Sequence, residues 1–317
     1  MIYTITANPA LDCAIECNQI DLGETNYYQH SYSLIGGKGI NVAIVLNRLG
    51  SPVLATGFLG NNNKTLFEED FEKEKLNHEF VYFDGATRIN YKIKNLAAHQ
   101  ETELNGLGDV VSNEATESLL NFLRHELKKG DLVIAGGSLP QGVNKSLYLE
   151  IGNICQAKEV TYFLDTTKDP LRLGLQSKPY LIKPNLAEIA EVLEQPIKQS
   201  YSFVEIEKMV AELRSLGANN VLLSMGGQGS YYFANKGKTY KIGIAKGKVV
   251  NSVGAGDSML AGFAFGYYEK LSVEETLKYA ASAGGATAFA PWLGTKKAIE
   301  AHLNEISIQQ LEGEKWK

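Results

Sequence analysis

Residues 251–263 read NSVGAGDSMLAGF and set a carboxylate, Asp257, directly behind a Gly254-Ala255-Gly256 step. Small residues ahead of a helix leave backbone N–H groups free to converge on an anion, and the helix dipole adds to that field. A carboxylate beside such a cradle suits phosphoryl transfer. The N–H groups stabilise the charge that spreads over the phosphoryl oxygens, and the acid accepts the proton of the attacking hydroxyl. Met259, Leu260, Phe263, Ala264 and Tyr267 give the buried face of a helix expected over 258–268. Its terminus is expected to favour the ionised form of Asp257 and so depress its pKa. The bland alternative is an acidic helix cap without chemistry.

Two further stretches carry candidate chemistry. In IGGKGINVA, Gly36, Gly37 and Gly39 would let backbone N–H groups approach a ligand, Lys38 adds a full charge, and a helix is expected from about Asn41. No G-x-x-x-x-G-K-[ST] loop is present, and a plain strand-to-helix turn is the alternative. In KPNLAEI, Asn185 and Glu188 stand three apart at another helix start. Two oxygen donors so close suit a hydrated Mg²⁺, or equally a capping box of the N-x-x-E kind. The five histidines are scattered and receive no role.

These residues sit on a regular alternation of elements. Strand-like runs occur at 2–7, 53–60, 132–138, 160–166, 180–185 and 221–227. Amphipathic stretches lie between many of them. Val42, Val45, Leu46 and Leu49 fall at i, i+3, i+4, i+7, and Ile206, Met209, Val210 and Leu213 share one face of another stretch. The alternation predicts an α/β fold with a doubly wound, mostly parallel sheet flanked by helices. Ligands of such sheets bind beyond the carboxyl ends of the strands. Asn8 and Asp12, Gly136-Gly137-Ser138, Asp165, Lys183-Pro184-Asn185, and Ser224 with Gly226, Gly227 and Gly229 all fall there. Residues of about 10–35 and 80–106 break the rhythm. Ile89, Tyr91 and Ile93 alternate with Arg88, Asn90, Lys92 and Lys94, as in a strand with one wet face. Both insertions are expected to form a small antiparallel β lid on a single domain spanning 1–317.

Composition narrows the partners. The 317 residues carry a formal net charge of −5 without a dense basic cluster, which argues against nucleic acid. Cys13, Cys17 and Cys155 have no metal-ligand spacing and fit a reducing compartment. The chain opens MIYTITANPALD without a signal-like segment, and no apolar run approaches the ~20 residues of a membrane helix. A cytoplasmic protein is expected.

NPALD, GGKGINVA, TRINYKI, GSLPQG, KPNLAE, SMGGQGS and VNSVGAGDS occur in the order found in the PfkB (ribokinase-like) carbohydrate kinases, which the chain resembles from residue 1 to about 300. NPALD with TRINYKI is most similar to the 1-phosphofructokinase branch, with tagatose-6-phosphate kinase as its nearest relative. The resemblance implies ATP-dependent phosphorylation of a phosphosugar hydroxyl, fructose 1-phosphate at O6. Asp257 matches the family's base, and Gly254, Ala255 and Gly256 its anion hole. Asp12, Gly37, Lys38 and Asn41 match sugar-binding positions, and Arg88, Asn90 and Ser138 lie near the substrate phosphate and hydroxyls. Lys183, Ser224, Gly226 and Gly229 match nucleotide contacts, Ala283 an adenine-pocket position, and Asn185 with Glu188 the element that helps to place Mg²⁺, through water. The lid implies a homodimer. Three positions depart from the pattern: Gly136 stands where a serine is usual, LDTTKDPLR where a D-S-[ST] segment is usual, and Tyr27 where a basic residue is common. A tagatose-6-phosphate kinase, a relaxed hexose-phosphate kinase and a non-catalytic phosphosugar or nucleotide sensor are the alternatives.

Overall fold

The computed structural model describes residues 1–235 and 237–311. Its centre is a ten-stranded sheet in the order β14-β13-β12-β11-β10-β9-β8-β1-β4-β5. The strands β1 (Ile2–Thr6), β4 (Val53–Gly60), β5 (His78–Phe83), β8 (Leu132–Gly136), β9 (Thr161–Asp165), β10 (Leu181–Ile182) and β11 (Asn220–Ser224) run parallel. The strands β12 (Ser230–Phe233), β13 (Thr239–Ile242) and β14 (Ile308–Leu311) continue the sheet antiparallel. All six strand-like runs of the sequence are strands of this sheet.

Alternation along the strands divides the core in two, because successive side chains point to opposite faces. On β1, Ile2 packs into one cluster and Tyr3 and Ile5 into the other. The Ile2 side is covered by α1 (Lys38–Leu49), α2 (Lys64–Lys73), α8 (Ala255–Tyr268), α9 (Val273–Ala288) and α10 (Lys296–His302). The other side is covered by α3 (Asn113–Glu126), α4 (Leu147–Ala157), α5 (Lys168–Gly174), α6 (Leu186–Val192) and α7 (Phe203–Leu216). Each fully buried Leu, Ile or Phe of these clusters contributes roughly 1.5–3 kcal/mol by leaving water. α8 is buried nearly all round, from Ser258 to Ala264 and at Gly266, as a helix wedged between others must be. A Cβ on Gly262 would stand 2.3 Å from Tyr279 O, so only glycine lets α9 lie this close. The catalytic candidates at the start of α8 thus rest on a rigid central element.

The second sheet is the lid: β3 (His30–Gly36), β2 (Ala10–Cys17), β6 (Arg88–Asn95) and β7 (Gln100–Asn105), in that order. Its outer pairs are antiparallel, but β2 and β6 at its middle are parallel. The expectation of a wholly antiparallel lid is corrected there. β2 and β6 each leave the carboxyl end of a main-sheet strand, β1 and β5, and so travel the same way. The second insertion also begins later than expected, since residues 78–83 form the edge strand β5. The three cysteines are free, Cys17 and Cys155 buried and Cys13 half-buried; burial pushes the Cys155 thiol up to about 12. Among the described residues no helix is long and apolar enough to cross a membrane.

Candidate active site

Both glycine-rich turns start their helices three residues ahead of the expected positions. Gly254, at φ 78°, is the N-cap of α8, and Gly37, at φ 124°, that of α1. Only glycine adopts such left-handed backbone readily, and it turns the chain into a helix before the apolar periodicity begins. Asp257 is consequently the third residue of α8, and no side chain caps that helix. Asn41 Nδ2 instead donates to Asp257 Oδ2 at 2.7 Å, from a side chain that is itself buried. Ala255 N–H is turned back to Ser252 O at 3.2 Å, so the first-turn donors of Gly256 and Asp257, which lack i−4 partners within the helix, are better placed for an anion than Ala255.

Gly36, Gly37 and Gly39 do not all serve a ligand. Gly39 lies inside α1, and a Cβ there would meet Thr6 Oγ1 at 2.5 Å and Ile5 O at 2.7 Å. Its role is to let α1 pack on β1. Gly136 has a similar reason, since a Cβ at this strand end would lie 2.6 Å from Asp165 O. The serine usual at this position does not fit the present backbone, which accounts for that departure.

The charges form one network. Asp165, at the carboxyl end of β9, accepts Lys38 Nζ on Oδ1 at 2.9 Å and pairs through Oδ2 with Lys183 Nζ at 3.3 Å. Its side chain is 1 % exposed, against 5 % for Lys183 and 28 % for Lys38. Burial alone would raise the Asp165 pKa, but Lys183 and Lys38 outweigh it and hold the carboxyl below its ordinary value. Lys38 is raised: burial pulls its pKa down, while Asp165 most strongly, then Asp257 and Glu188, push it up. Asp257 is raised as well, by burial first and by the field of Asp165, against the opposing Lys38, Asn41 and Lys183. The expectation of a depressed Asp257 is therefore reversed, because desolvation exceeds the favourable terms at this helix end. Lys183 also lies under the anion cradle, its Nζ 3.2 Å from where a Gly256 Cβ would be.

The lid supplies the facing wall. Asn90 Nδ2 donates to Asp12 Oδ1 at 2.8 Å, and the buried Asn90 Oδ1 has no partner among the described residues. Arg88 donates from Nε to Pro9 O at 3.3 Å and from Nη2 to Asn8 O at 3.1 Å. Asn8 Nδ2 in turn donates to the exposed Ser138 Oγ at 3.1 Å. Asp12, Gly36, Asn41, Lys92, Lys94, Gly254 and Trp292 are among the residues that line one cavity of about 280 Å³ beneath the lid.

Beyond Lys183, Asn185 caps α6 in a complete capping box: its side chain accepts from Glu188 N at 2.9 Å, and Glu188 Oε2 accepts from Asn185 N at 2.8 Å. Asn185 and Ser224 are bridged, and Ser224 with Gly226 borders an open depression; Gly229, within 2.4 Å of Ile242 O at its missing Cβ, is buried. Ala283 is corrected: it is completely buried among the helices of the first cluster, so its side chain lines no open adenine pocket. The sequence marks Asp165 only as a strand end and Lys92 only as a wet-face position of its strand, and Trp292 carries no local signal. Asp165 joins lysines from separate elements, so only the fold could show its function. Among the described residues no group of three or more His, Cys, Asp or Glu side chains could hold a metal ion.

Comparison with known proteins gives this arrangement a family. Residues 6–295 match the model of the pfkB family of carbohydrate kinases. The 1-phosphofructokinase of Haemophilus influenzae is 36% identical over 319 residues, covering 98% of this chain and 99% of that protein. The 1-phosphofructokinase of Bacillus subtilis and the D-tagatose-1-phosphate kinase of Bacillus licheniformis are each 34% identical over 311 residues, covering 98% of this chain and 100% of theirs. A crystal structure of a putative phosphofructokinase from Staphylococcus aureus superposes with a TM-score of 0.84 at 33% identity, covering 99% of this chain and 100% of that one. Phosphofructokinase-2 from Escherichia coli shares the fold, with a TM-score of 0.88 at 23% identity over 96% of this chain and 98% of its own. The chain belongs to the pfkB family of carbohydrate kinases, and it is an ATP-dependent kinase.

Proposed function

We propose that the enzyme phosphorylates fructose 1-phosphate at O6, giving fructose 1,6-bisphosphate and ADP, with Asp257 as the base. The observation that carries this reading is the Asn41–Asp257 bond, which ties the carboxylate to a side chain that lines the cavity together with Asp12. The sugar hydroxyls are held by Asp12, Asn41 and Asn90 and by the backbone at Gly37, with Arg88 and Ser138 at the border of the site. The O6 hydroxyl attacks the γ-phosphorus of ATP. The new P–O bond forms as the bond to the ADP oxygen breaks, and the hydroxyl proton passes to Asp257. Because the transition state is loose, the proton leaves late and a carboxylate suffices. Its raised pKa makes Asp257 a stronger base than an exposed aspartate.

Charge on the transferring group is met by Lys38 and Lys183, which Asp165 holds side by side, and by the N–H groups at the start of α8. The Gly254–Gly256 cradle shapes this hole, with Gly256 open directly above Lys183. Ser224, Gly226 and Gly229 border the nucleotide. Mg²⁺ fits this donor set only at its edge. One Glu188 oxygen serves the capping box, yet the field of its carboxylate reaches Lys38. Glu188, and Asn185 with it, would hold the ion through water, as befits a cation that keeps most of its hydration shell, and the ion would offset charge on the nucleotide. Ile15, Tyr91, Ile93 and Leu104 lie on the lid face turned away from the cavity, and we place a homodimer contact there.

A second reading is favoured by the similarity to the D-tagatose-1-phosphate kinase. Tagatose differs from fructose in the configuration of one hydroxyl, and both readings keep the phosphate on C1. Coupled ADP release should be compared for fructose 1-phosphate, tagatose 1-phosphate, tagatose 6-phosphate, fructose 6-phosphate and fructose. The proposal expects kcat/KM for fructose 1-phosphate to lead by 100-fold or more, about 2.7 kcal/mol of discrimination. A lead for either tagatose phosphate overturns the substrate and leaves the base in place. No turnover of any of them would favour a sensor.

A further inference from the structure

We infer that Lys92 binds the phosphate already present on the sugar and so sets the enzyme's preference for a phosphorylated ketose. The inference deepens the proposed function and rests on its reading of the cavity as the sugar site.

Alternation on β6 puts Arg88, Asn90, Lys92 and Lys94 on one face of the lid, and among the described residues Lys38, Lys183, Arg88, Lys92 and Lys94 compete for the role. Lys38 and Lys183 are paired with Asp165, which is 1 % exposed, and in the proposed reaction they face the transferring group; withdrawing either ammonium toward the far end of the sugar would leave a buried carboxylate with one partner fewer. Arg88 spends two of its donors on Pro9 O and Asn8 O and lines a separate narrow recess with Thr87, Leu107 and Pro140. Lys94 is held by Glu16 Oε1 and the Tyr32 hydroxyl, each at 3.4 Å. Among the described residues Lys92 has only Glu103, 3.8 Å away and 48 % exposed, as its ion-pair partner. Such a pair is loose and screened by water, and a phosphate dianion displaces it readily.

The position is also suitable. Lys92 stands beside the buried Ala14 of β2, whose short side chain leaves its ammonium room, and it lines the same cavity as Asp12, Asn41 and Gly254. Two residues of strand separate Lys92 from Asn90, roughly 7 Å. Asn90 binds Asp12 at the sugar, so Lys92 projects one step further along the lid, away from the Arg88 end of the strand. A substrate whose hydroxyls lie on Asp12 and Asn90 therefore meets the Lys92 charge with its phosphorylated end.

The test compares kcat/KM for fructose 1-phosphate and for fructose in the wild-type enzyme, Lys92→Gln, Lys92→Arg and Arg88→Gln. Lys92→Gln is expected to lower kcat/KM for fructose 1-phosphate by about 10- to 100-fold, mostly through KM, and to narrow the ratio between the two substrates by the same factor. Lys92→Arg should restore most of that ratio. An equal loss on both substrates, or an unchanged ratio, would overturn the inference, as would a collapse of the ratio in Arg88→Gln alone. A wild-type enzyme that prefers another phosphosugar overturns the proposed substrate, and the Lys92 ratio is then decided on that sugar against its unphosphorylated form. A wild-type enzyme that prefers free fructose removes both.

Discussion

Replacing Asp165 with Asn removes one carboxylate and strands two ammonium groups. Lys38 and Lys183 approach its oxygens at 2.9 and 3.3 Å. At about 4 Å between charge centres and an effective dielectric near 20, each attraction is worth roughly 4 kcal/mol before desolvation and the mutual repulsion of the lysines are subtracted. Removing one partner of a buried pair destabilises by about 3–5 kcal/mol. Both lysines keep the field of Asp257, but Lys38, at 28 % exposure, keeps some access to water that Lys183, at 5 %, lacks. The low end, about 3 kcal/mol, is therefore expected, or roughly a 6 °C fall in Tm. The pH dependence adds a second check. Asp165 is held below the ordinary carboxylate value by the lysines in spite of burial, so its stabilisation is complete above the unfolded pKa near ~4 and vanishes as pH falls through the folded one. Urea unfolding of both proteins from pH 8 downward should show a constant gap to about pH 5 that closes only in stronger acid. A gap under about 1 kcal/mol at pH 7, or one that closes already between pH 7 and 5, would refute the account of Asp165 as the joint of the two lysines.

Asn41→Ala removes the donor that orients Asp257 and helps to keep it ionised; kcat is expected to fall about 10- to 100-fold and the acid limb of the pH–rate profile to move to higher pH. A profile that keeps its position would show that the bond does not act on the base. Gly39→Ala drives a Cβ to 2.7 Å from Ile5 O and should reduce stability by about 1–3 kcal/mol in urea unfolding; an unchanged midpoint would contradict the close packing of α1 on β1.

Much of the fold can be read from local sequence. The six strand-like runs and the α1 and α7 faces are declared by hydrophobic periodicity, which needs only neighbouring residues. The helix starts at Gly37 and Gly254 lie outside that signal, because a left-handed glycine begins each helix ahead of its apolar stripe. For the same reason Asp257 could not be told from a cap: its partner Asn41 is 216 residues away. The parallel β2–β6 pair was equally hidden, since strand direction in the lid follows from where β1 and β5 end. The sign of the Asp257 shift needed the burial of its surroundings, which no helix-dipole argument contains. KPNLAEI carried two readings: its capping box is observed, and its part at a metal is a proposal.

The most direct test of the central claim is turnover by Asp257→Asn beside its nucleotide affinity and thermal stability. The side chains are isosteric, and a raised folded pKa means that the ionised carboxylate opposes folding at neutral pH, stability being gained only when it is protonated. The account predicts a kcat lowered by about 100- to 10,000-fold, ATP binding nearly unchanged and a Tm equal to or above that of the wild type. A variant that keeps more than about a tenth of the wild-type rate would contradict Asp257 as the base.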